Sequence, residues 1–386
     1  MKTVNGEYNS AIIMTDDVED YAVAQVKQLC DLEWMKDSKI ICMPDIHPGK
    51  VSTVGFTSIQ PFSTPIMPAL IGNDIGCGVT TVKLSMKKKP DWKKLDAVIR
   101  ENIPTKDKKR NTPHKWYEHW KKSYTYMSSS FYHLPKASLS LGTLGGGNHF
   151  IEVDQDDEGS YYLTIHSGSR SLGNMVYEAY LDVAEVETRE NVSDNIAREL
   201  CCLFKDDSKK YYLEDVYITT KFAYFNRYAM IEDICKEMKW EFKEVSTLKN
   251  SVHNTINSHF DELKETPSEI YIRKGAIPAY KNDDIIIPIN MKDGIIIGKG
   301  KENPDYNFSA PHGSGRIYSR SEVANHHTLN EFKSIMKESG IYSPTISKNT
   351  LDEAPFAYRS IDNILPYIQD TVEVVKILKP VYNYKG

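Results

Sequence analysis

The sequence has little cysteine and no long apolar run, and each of these shortages excludes a class of protein. The six cysteines among 386 residues form no Cys-x-x-Cys pair, a usage typical of a reducing compartment that argues against a disulfide framework. No segment approaches the roughly 18 consecutive apolar residues that a membrane span requires. Residues 1–6 also lack the apolar core of a secretory signal. We therefore expect a cytoplasmic protein that does not associate with membranes.

Acidic residues outnumber basic ones, for a net charge of −5, yet one segment is strongly basic. Between Lys83 and Lys122 there are 14 Lys and Arg residues against five Asp and Glu residues. The aromatic residues interleaved with these cations are Trp92, Trp116, Tyr117, Trp120, Tyr124 and Tyr126. A basic and aromatic segment over residues 83–135 suits the phosphate backbone and unstacked bases of RNA. The alternative is a lysine-rich helical surface whose aromatic residues face inward.

Hydrophobic periodicity predicts a mixture of strands and helices. Strands are predicted at residues 38–43, 79–84, 161–165, 268–272, 284–288 and 294–298, with Pro44 ending the first of them. Helices are predicted at residues 15–30, over most of 174–257 and from about 317 to 338. There is no internal repeat and no long linker. We therefore predict one interwoven α+β domain over residues 1–386, with a β-rich core and peripheral helices, that includes the basic segment 83–135 and a mainly helical segment 174–257.

Residues 71–78, Ile-Gly-Asn-Asp-Ile-Gly-Cys-Gly, place a carboxylate and a thiol three residues apart among three glycines. Held in this way, Asp74 and Cys77 can point at one metal ion, although a tight turn around a buried cysteine is the alternative. His149, His166 and His253 lie on three other segments, and His253 by itself is typical of a structural histidine on a helix. A carboxylate, thiolate and imidazole set suits manganese, zinc, iron or cobalt better than magnesium or calcium. Five ligands exceed one tetrahedral site, so we predict two ions that share the thiolate.

Several further stretches suit phosphate groups. Three consecutive glycines at 145–147 bring backbone N–H groups together, as in loops that cradle a phosphate. His312 is followed by Gly313, Gly315 and Arg316, which predicts an accessible imidazole that attacks phosphorus beside a cation. Asp45 lies with His47 near the end of a predicted strand, where either a site or a solvated turn would explain the polar residues.

Nine stretches together resemble the RtcB-type RNA ligases, in the order of that family and over nearly the whole chain. They are MPDIHPG (43–49), NDIGCG (73–78), GGGNHFIE (145–152), HSGSRSLG (166–173), HN (253–254), RKGA (273–276), HGSGR (312–316), DEAPFAY (352–358) and KG (385–386). The resemblance implies an enzyme that joins an RNA 3′-phosphate or 2′,3′-cyclic phosphate to a 5′-hydroxyl with GTP and two manganese ions, in RNA repair or tRNA splicing. Its partners would be tRNA or ribosomal RNA and an archease-like or release-factor-like protein.

The resemblance also implies a role for individual residues. His312 would be guanylylated, and the metal ligands would be Asp74, Cys77, His149, His166 and His253. Phosphate or nucleotide contacts would come from Asn148, Glu152, Arg170, Lys274, Asn290, Gly313, Gly315, Arg316, Tyr358 and Lys385, with Asp45 as a further polar group near the centre. His312 would attack the α-phosphate of GTP, GMP would pass to the RNA 3′-phosphate, and the 5′-hydroxyl would then displace GMP.

The chain departs from the family pattern at a few positions. Val51 replaces a common glycine, and Asn73 replaces the usual valine. Residues 288–295 read Pro-Ile-Asn-Met-Lys-Asp-Gly-Ile where the family typically has serines near the guanylate; Asn290 retains hydrogen-bonding capacity there and Ile295 does not. Two other functions stay open. One is a metal-dependent RNA 3′-end phosphoesterase or guanylyl-capping enzyme that stops before sealing, and the other is a non-catalytic RNA-binding protein.

Overall fold

The computed structural model describes residues 1–86, 88–122, 134–193, 196–242, 249–256 and 267–386. Within them, helices combine with extensive β-sheet, which confirms the predicted α+β class. Lys87, Tyr124 and Tyr126 lie outside the described residues, as do parts of the predicted segments 83–135 and 174–257. Among the helices that the structure describes, none is both long enough and apolar enough to cross a bilayer.

The strands are numbered in chain order. They are β1 (Lys2–Asn5), β2 (Ser10–Ile13), β3 (Lys39–His47), β4 (Val54–Pro61), β5 (Gly78–Ser85), β6 (Phe150–Gln155), β7 (Tyr161–Ser167), β8 (Glu241–Phe242), β9 (Lys249–Val252), β10 (Asn254–Ile256), β11 (Glu269–Lys274), β12 (Ala276–Pro278), β13 (Asp284–Asn290), β14 (Gly294–Gly300), β15 (Ser309–Pro311) and β16 (Val372–Lys385). All six predicted strands are present, with shifted ends.

The helices are numbered in the same way. They are α1 (Asp20–Cys30), α2 (Trp92–Asn102), α3 (Lys115–Lys121), α4 (Leu134–Ser138), α5 (Arg170–Asn191), α6 (Asp206–Met238), α7 (Val323–His326), α8 (Leu329–Glu338) and α9 (Ile361–Ile368). Short 3₁₀ turns at Pro68–Leu70, Lys348–Glu353 and Pro355–Ala357 lie close to the site described below.

The strands form two large sheets and one small one. The first sheet has the order β1-β2-β3-β4-β11-β10, and only its β2–β3 pair is parallel. The second has the order β13-β14-β16-β6-β7-β5-β8, and β9 pairs with the first half of the free edge of β5. Strands β12 and β15 form a separate antiparallel pair. Several neighbouring strands come from distant parts of the chain, such as β4 beside β11 and β16 beside β6, so both large sheets combine early and late segments.

Helix α6 lies in the interior and contacts strands of both large sheets. The helix carries apolar residues on most of its sides, and Phe222, Met230 and Ile234 are fully buried. Its Arg227 is also fully buried and donates to the carbonyl oxygens of Gly76 at 3.1 Å and Ser167 at 2.7 Å. A central buried helix thus accompanies the peripheral helices that the sequence predicts.

Three predicted boundaries are wrong. Strand β3 continues through Pro44, because its pairing with β4 is interrupted between Cys42 and His47 and no ladder N–H is needed there. The first helix starts at Asp20 rather than at residue 15. Residues 249–256 form β9 and β10 instead of helix, since β5 and β11 offer unpaired edges to them.

The predicted helix over residues 317–338 is also shorter than expected. Only α7 and α8 form within it, and α8 starts at Leu329 with a capping box between Thr328 and Glu331. Residues 313–322 remain irregular, which leaves the segment after His312 free to line a cavity.

The aromatic residues of the basic segment face inward. Trp120 is fully buried, and Trp116 packs against Phe225 and donates to Glu232. Trp92 packs against Tyr382. The prediction that these rings are available for unstacked bases is therefore wrong for the described ones, because they anchor α2 and α3 on the core. The exposed lysines remain on the outer surface of these helices and of the loop between them.

Candidate metal centre and nucleotide cavity

The Asp74–Cys77 turn lies between the Pro68–Leu70 turn and the start of β5, and glycine is needed within it. Gly76 has a φ of +73°, and a Cβ at this position would lie 2.7 Å from the Thr220 backbone in α6. Its N–H donates to the Asn254 carbonyl at 2.8 Å, and its carbonyl accepts from Arg227. The turn is thereby fixed from both sides.

Adjacent strands bring the histidines to this turn. His166 lies near the end of β7, directly opposite Val79 of β5 and Phe150 of β6. His253 follows β9, on the other edge of β5, and its N–H donates to the Cys77 carbonyl at 2.9 Å. His149 immediately precedes β6. The ends of four neighbouring strands therefore gather residues that are far apart in the chain.

The side-chain donors converge in two groups that share Cys77. Cys77, His166 and His253 form one group, and Asp74, Cys77 and His149 form the other, with the ligand atoms of each group within 4.8 Å of one another. The Cys77 Sγ lies 3.5 Å from His149 Nε2 and 3.3 Å from His166 Nε2. His166 Nε2 is 3.3 Å from His253 Nε2, and His149 Nε2 is 3.2 Å from Asp74 Oδ2.

The tautomers of the histidines fit metal binding. His149 Nδ1–H donates to the Leu144 carbonyl at 2.9 Å, and His166 Nδ1–H donates to the Asn148 carbonyl at 3.2 Å. Because a carbonyl only accepts, each Nε2 is left with a lone pair directed at the centre. These nitrogen lone pairs and the Cys77 sulfur lie close enough to contact a common cation, which would take the place of the thiol proton. The donor set thus fits one or two borderline divalent ions.

Burial leaves His166 and His253 in the neutral state that binds metal, but it favours the protonated form of the Cys77 thiol. Burial, followed by the charge of neighbouring histidines, lowers the pKa of His166 and of His253 well below the ordinary value, so both rings are neutral. Burial and Asp74 raise the pKa of the Cys77 thiol well above its usual range. A metal ion would therefore have to displace the thiol proton as it binds.

His312 follows β15 and lies beside the metal centre. Its ring centroid is 4.8 Å from that of His253. Its Nδ1 lies 2.8 Å from Oδ2 of Asp45, which is fully buried in β3 and also accepts from the Gly313 N–H at 3.3 Å. Since a carboxylate accepts the Nδ1–H, the free lone pair is on Nε2. Asp45 therefore orients the imidazole of His312, and because its side chain is fully buried the alternative of a solvated turn is wrong.

A cavity of about 590 Å³ opens in front of His312. Asp74, Cys77, His166 and His253 line it, and so do Asn148, Glu152, Lys274, Asn290, Gly313, Gly315, Arg316, Tyr358 and Lys385. The Lys274 ammonium donates to the Ser52 carbonyl at 2.9 Å, and burial lowers its pKa to about 8. The structure therefore brings most of the candidate residues to one concave surface.

Glu353, which the sequence did not single out, is the centre of a charged cluster at the cavity wall. Its carboxylate accepts from Tyr358 Oη at 2.7 Å and from Lys385 Nζ at 3.1 Å, and it lies 2.6 Å from Arg320 Nη1. Burial by itself would raise the pKa of Glu353, but Lys385 and the two nearby arginines lower it to about 2. Glu353 lies within the DEAPFAY stretch, which was the available signal, whereas nothing in the sequence pointed to Arg320.

Arg316 is part of the same cluster, and its donors are directed at protein groups. Its Nη1 donates to Tyr358 Oη at 2.8 Å, its Nε donates to the Tyr318 carbonyl at 3.0 Å, and its Nη2 donates to the Asp352 carbonyl. These contacts fix the loop after His312 against the Lys348–Glu353 turn. The guanidinium therefore positions the wall of the cavity.

The divergent 288–295 segment is a hairpin between β13 and β14. Asn290 Oδ1 accepts from the Lys292 and Asp293 N–H groups at 2.9 Å, so this side chain closes the turn. Ile295 is fully buried and packs in an apolar cluster with Val79 and Leu378. Ile295 does not line the cavity, so the lack of a hydroxyl at this position does not change the cavity wall.

Arg170, the first residue of α5, lies apart from the main cavity. Its Nη2 donates to the Lys106 carbonyl at 2.8 Å and its Nε donates to Thr143 Oγ1 at 3.2 Å. A Cβ at Gly145 would meet both its guanidinium and the ring of His149, so Arg170 is directly behind a candidate ligand. It lines a second cavity of about 420 Å³ together with Gly146 and Gly147.

The fold and the site define an α+β protein in which a buried cluster of thiol, imidazole and carboxylate groups, whose donor set fits divalent metal ions, lies beside a carboxylate-oriented histidine. The family profile described as tRNA-splicing ligase RtcB matches residues 25–386, and the chain belongs to the RtcB family. The chain is 31% identical to RNA-splicing ligase RtcB1 of Escherichia coli strain ATCC 25922 and 29% identical to RNA-splicing ligase RtcB of E. coli K12, each over 90% of both proteins. It is 25% identical to tRNA-splicing ligase RtcB of Aeropyrum pernix, over 92% of the chain and 90% of that protein.

Proposed function

We propose that the protein is an RNA ligase that joins a 3′-phosphate or 2′,3′-cyclic phosphate to a 5′-hydroxyl, with GTP and two manganese ions, through a histidine–GMP intermediate. The observation that carries this proposal is the His312–Asp45 pair, which presents a free Nε2 beside two donor groups that share one cysteine. Membership of the RtcB family supports the activity. The cytoplasmic location and the archease-like or release-factor-like partner remain predictions from the sequence.

In the first step, His312 Nε2 attacks the α-phosphate of GTP, an N–P bond forms and pyrophosphate leaves. The ring becomes cationic, and the adjacent Asp45 carboxylate stabilises that charge while holding Nδ1–H. Asp74, Cys77, His149, His166 and His253 would hold manganese, which when bound supplies positive charge for the phosphate oxygens and the leaving groups. The imidazole is therefore oriented before GTP arrives.

In the second step, an oxygen of the RNA 3′-phosphate attacks phosphorus, the N–P bond breaks and GMP is transferred to the RNA end. In the third step, the 5′-hydroxyl oxygen attacks the activated 3′-phosphate and releases its proton to water, and GMP leaves as the phosphodiester forms. A cyclic phosphate would first be hydrolysed. Lys274 and Asn148 both line the cavity, and we assign them to phosphate oxygens because Lys274 is a half-buried cation and Asn148 carries amide donors.

The test of this function is to detect the intermediate. We expect wild-type protein incubated with manganese and α-³²P-labelled GTP to acquire one acid-labile GMP, and His312→Ala to acquire none, because the alanine has no nucleophile. Intact-protein mass spectrometry would count the adduct. His326→Ala is the matched control, since His326 packs against Tyr318 outside the proposed chemistry.

The same preparation should seal an RNA with a 3′-phosphate to one with a 5′-hydroxyl. An adduct and a guanylylated RNA end without any sealing would assign a capping enzyme instead. RNA binding without an adduct or any metal-dependent turnover would assign a non-catalytic RNA-binding protein.

The basic segment is proposed to bind the RNA backbone. Replacing Lys93, Lys94, Lys108 and Lys109 by Gln should weaken binding of single-stranded RNA by at least about tenfold at low salt and flatten the salt dependence, because fewer counterions are released. Fluorescence anisotropy at several salt concentrations would measure both effects. Lys333→Gln with Lys337→Gln is the control on another exposed helix. Unchanged affinity in the fourfold variant would place the RNA elsewhere.

A further inference from the structure

Glu152 lies at the cavity wall on β6, and a row of polar residues continues behind it across the second sheet. Its cross-strand neighbours are Asn383 on β16 and Thr164 on β7. Asn383 Nδ2 donates to Glu152 Oε2. Asp154, two residues further along β6 and hence on the same face, is in side-chain hydrogen-bond contact with Glu152. All four side chains are buried, and burial strengthens the repulsion between two charges.

The contacts of Asp154 distinguish its two oxygens. Thr164 Oγ1 donates to Asp154 Oδ2 at 3.1 Å, and Thr164 itself is bonded to Thr81 Oγ1 at 3.0 Å. No donor of the described residues reaches Asp154 Oδ1. A carboxyl oxygen that is fully buried and receives no hydrogen bond is costly when ionised, and it is satisfied when it carries a proton and donates it.

Two buried carboxyl groups in contact do not both ionise, so one proton belongs to the pair. Glu152 accepts from Asn383 and lies near the Lys385 ammonium, both of which favour its charged form. Burial and the charge of Glu152 raise the pKa of Asp154 well above its usual range. The neutral partner is therefore Asp154.

We propose that Asp154 is a positioning residue that remains protonated and donates to Glu152, which then faces the cavity as a fixed acceptor for the N1–H and 2-amino group of guanine. A carboxylate offers about four lone-pair positions, and Asn383 and Asp154 occupy two of them. Two adjacent acceptors remain, which matches the two adjacent donors of guanine. Adenine presents an unprotonated N1 to the same surface and is rejected. This inference rests on the proposed use of GTP.

The test compares Asp154→Asn with Asp154→Leu. The amide of Asn can donate to Glu152 while its oxygen still accepts from Thr164, whereas Leu fills a similar volume without any donor. The rate of His312 adduct formation would be measured against the concentrations of GTP and of ITP, which lacks the 2-amino group. Asp156→Asn is the matched control, because Asp156 accepts from Tyr162 and Lys376 and has no contact with Glu152 among those described.

We expect Asp154→Leu to raise the KM for GTP by about tenfold and to bring the ITP-to-GTP ratio of KM values close to one, with little change in kcat. In Asp154→Asn and Asp156→Asn, the KM for GTP and the ITP-to-GTP ratio of KM values should both stay within about threefold of wild type. Thermal unfolding would verify that Asp154→Leu folds, and Asp154→Ala provides a second donor-free variant.

The inference is overturned if the donor-free variants retain the wild-type ratio, or if Asp154→Asn loses discrimination as Asp154→Leu does. If wild-type protein forms no GMP adduct and binds no GTP in calorimetry, the proposed function and the inference both fall. If wild-type protein forms the adduct but Asp154→Leu and Asp154→Ala keep the wild-type ITP-to-GTP ratio of KM values, only the inference falls. The two failures are therefore distinguishable.

Discussion

Neutralising Asp45 should slow formation of the His312–GMP adduct by about 10³-fold or more, the scale of effect seen when the carboxylate that orients a catalytic histidine is removed. In Asp45→Asn the amide occupies nearly the same volume, but it lacks the negative charge that offsets the cationic ring as the N–P bond forms. An amide nitrogen facing Nδ1 would also place the ring proton on Nε2 and block the attack. Single-turnover experiments with labelled GTP would measure the rate.

Asp370→Asn is a suitable control for this experiment, because it neutralises a carboxylate that accepts from Tyr306 at 3.0 Å and does not line the cavity. Its rate should equal that of wild type. GTP binding by Asp45→Asn should remain within a few fold of wild type, since Asp45 is expected to act on the histidine and not on the nucleotide. A rate for Asp45→Asn within tenfold of wild type would contradict the role assigned to Asp45.

Replacing the shared cysteine should remove metal from both donor groups at once. Cys77→Ser changes a soft thiolate into a weakly acidic hydroxyl, and the remaining three histidines and one carboxylate are divided between the two groups. We expect manganese affinity to fall by at least about 100-fold, which is more than the usual effect of replacing a residue that only hydrogen-bonds to a metal ligand. Adduct formation should then be lost at micromolar manganese. Metal content by mass spectrometry and calorimetric titration would report the loss independently of activity.

Cys235→Ser controls for the loss of a buried thiol, because Cys235 lies on α6 within an apolar cluster and belongs to neither donor group. It should bind as many manganese ions as wild type. His149→Ala provides an internal comparison, since it should weaken the group that contains Asp74 more than the group that contains His253. Two full equivalents of tightly bound manganese in Cys77→Ser would show that the thiolate is not shared.

Much of the chemistry could be predicted from short motifs. Asp74 with Cys77 among glycines, histidines at strand ends, and His312 among small residues are local patterns, because backbone freedom and side-chain type are properties of a few neighbouring residues. The strand positions could be predicted for the same reason, since the alternation of apolar residues is local. The continuation of β3 through Pro44 could not be predicted, because it depends on how β4 pairs with β3.

The structure corrected predictions wherever the outcome depended on distant partners. Asp45 and His312 are separated by 267 residues, and no local pattern indicates that they meet. The rings of Trp116 and Trp120 suit RNA bases as a sequence pattern, yet α6 offers them an apolar surface that removes them from solvent. The sequence pattern around His253 predicts a helix, but residues 249–252 pair with the edge of β5 as β9 and leave His253 directly after that strand.

The sequence by itself determined which residue types are available and that they belong to an RtcB-type protein, because ligand chemistry and glycine spacing are encoded locally. Only the tertiary structure decided which donors converge on Cys77, that Asp45 orients His312, and that Asp154 stands behind Glu152. The first two are contacts between segments remote in the chain, and the third depends on the burial of β6 between β16 and β7, so all of them are set by sheet order and burial. A protonated aspartate or an oriented imidazole is a property of such surroundings, because desolvation and neighbouring charge govern protonation.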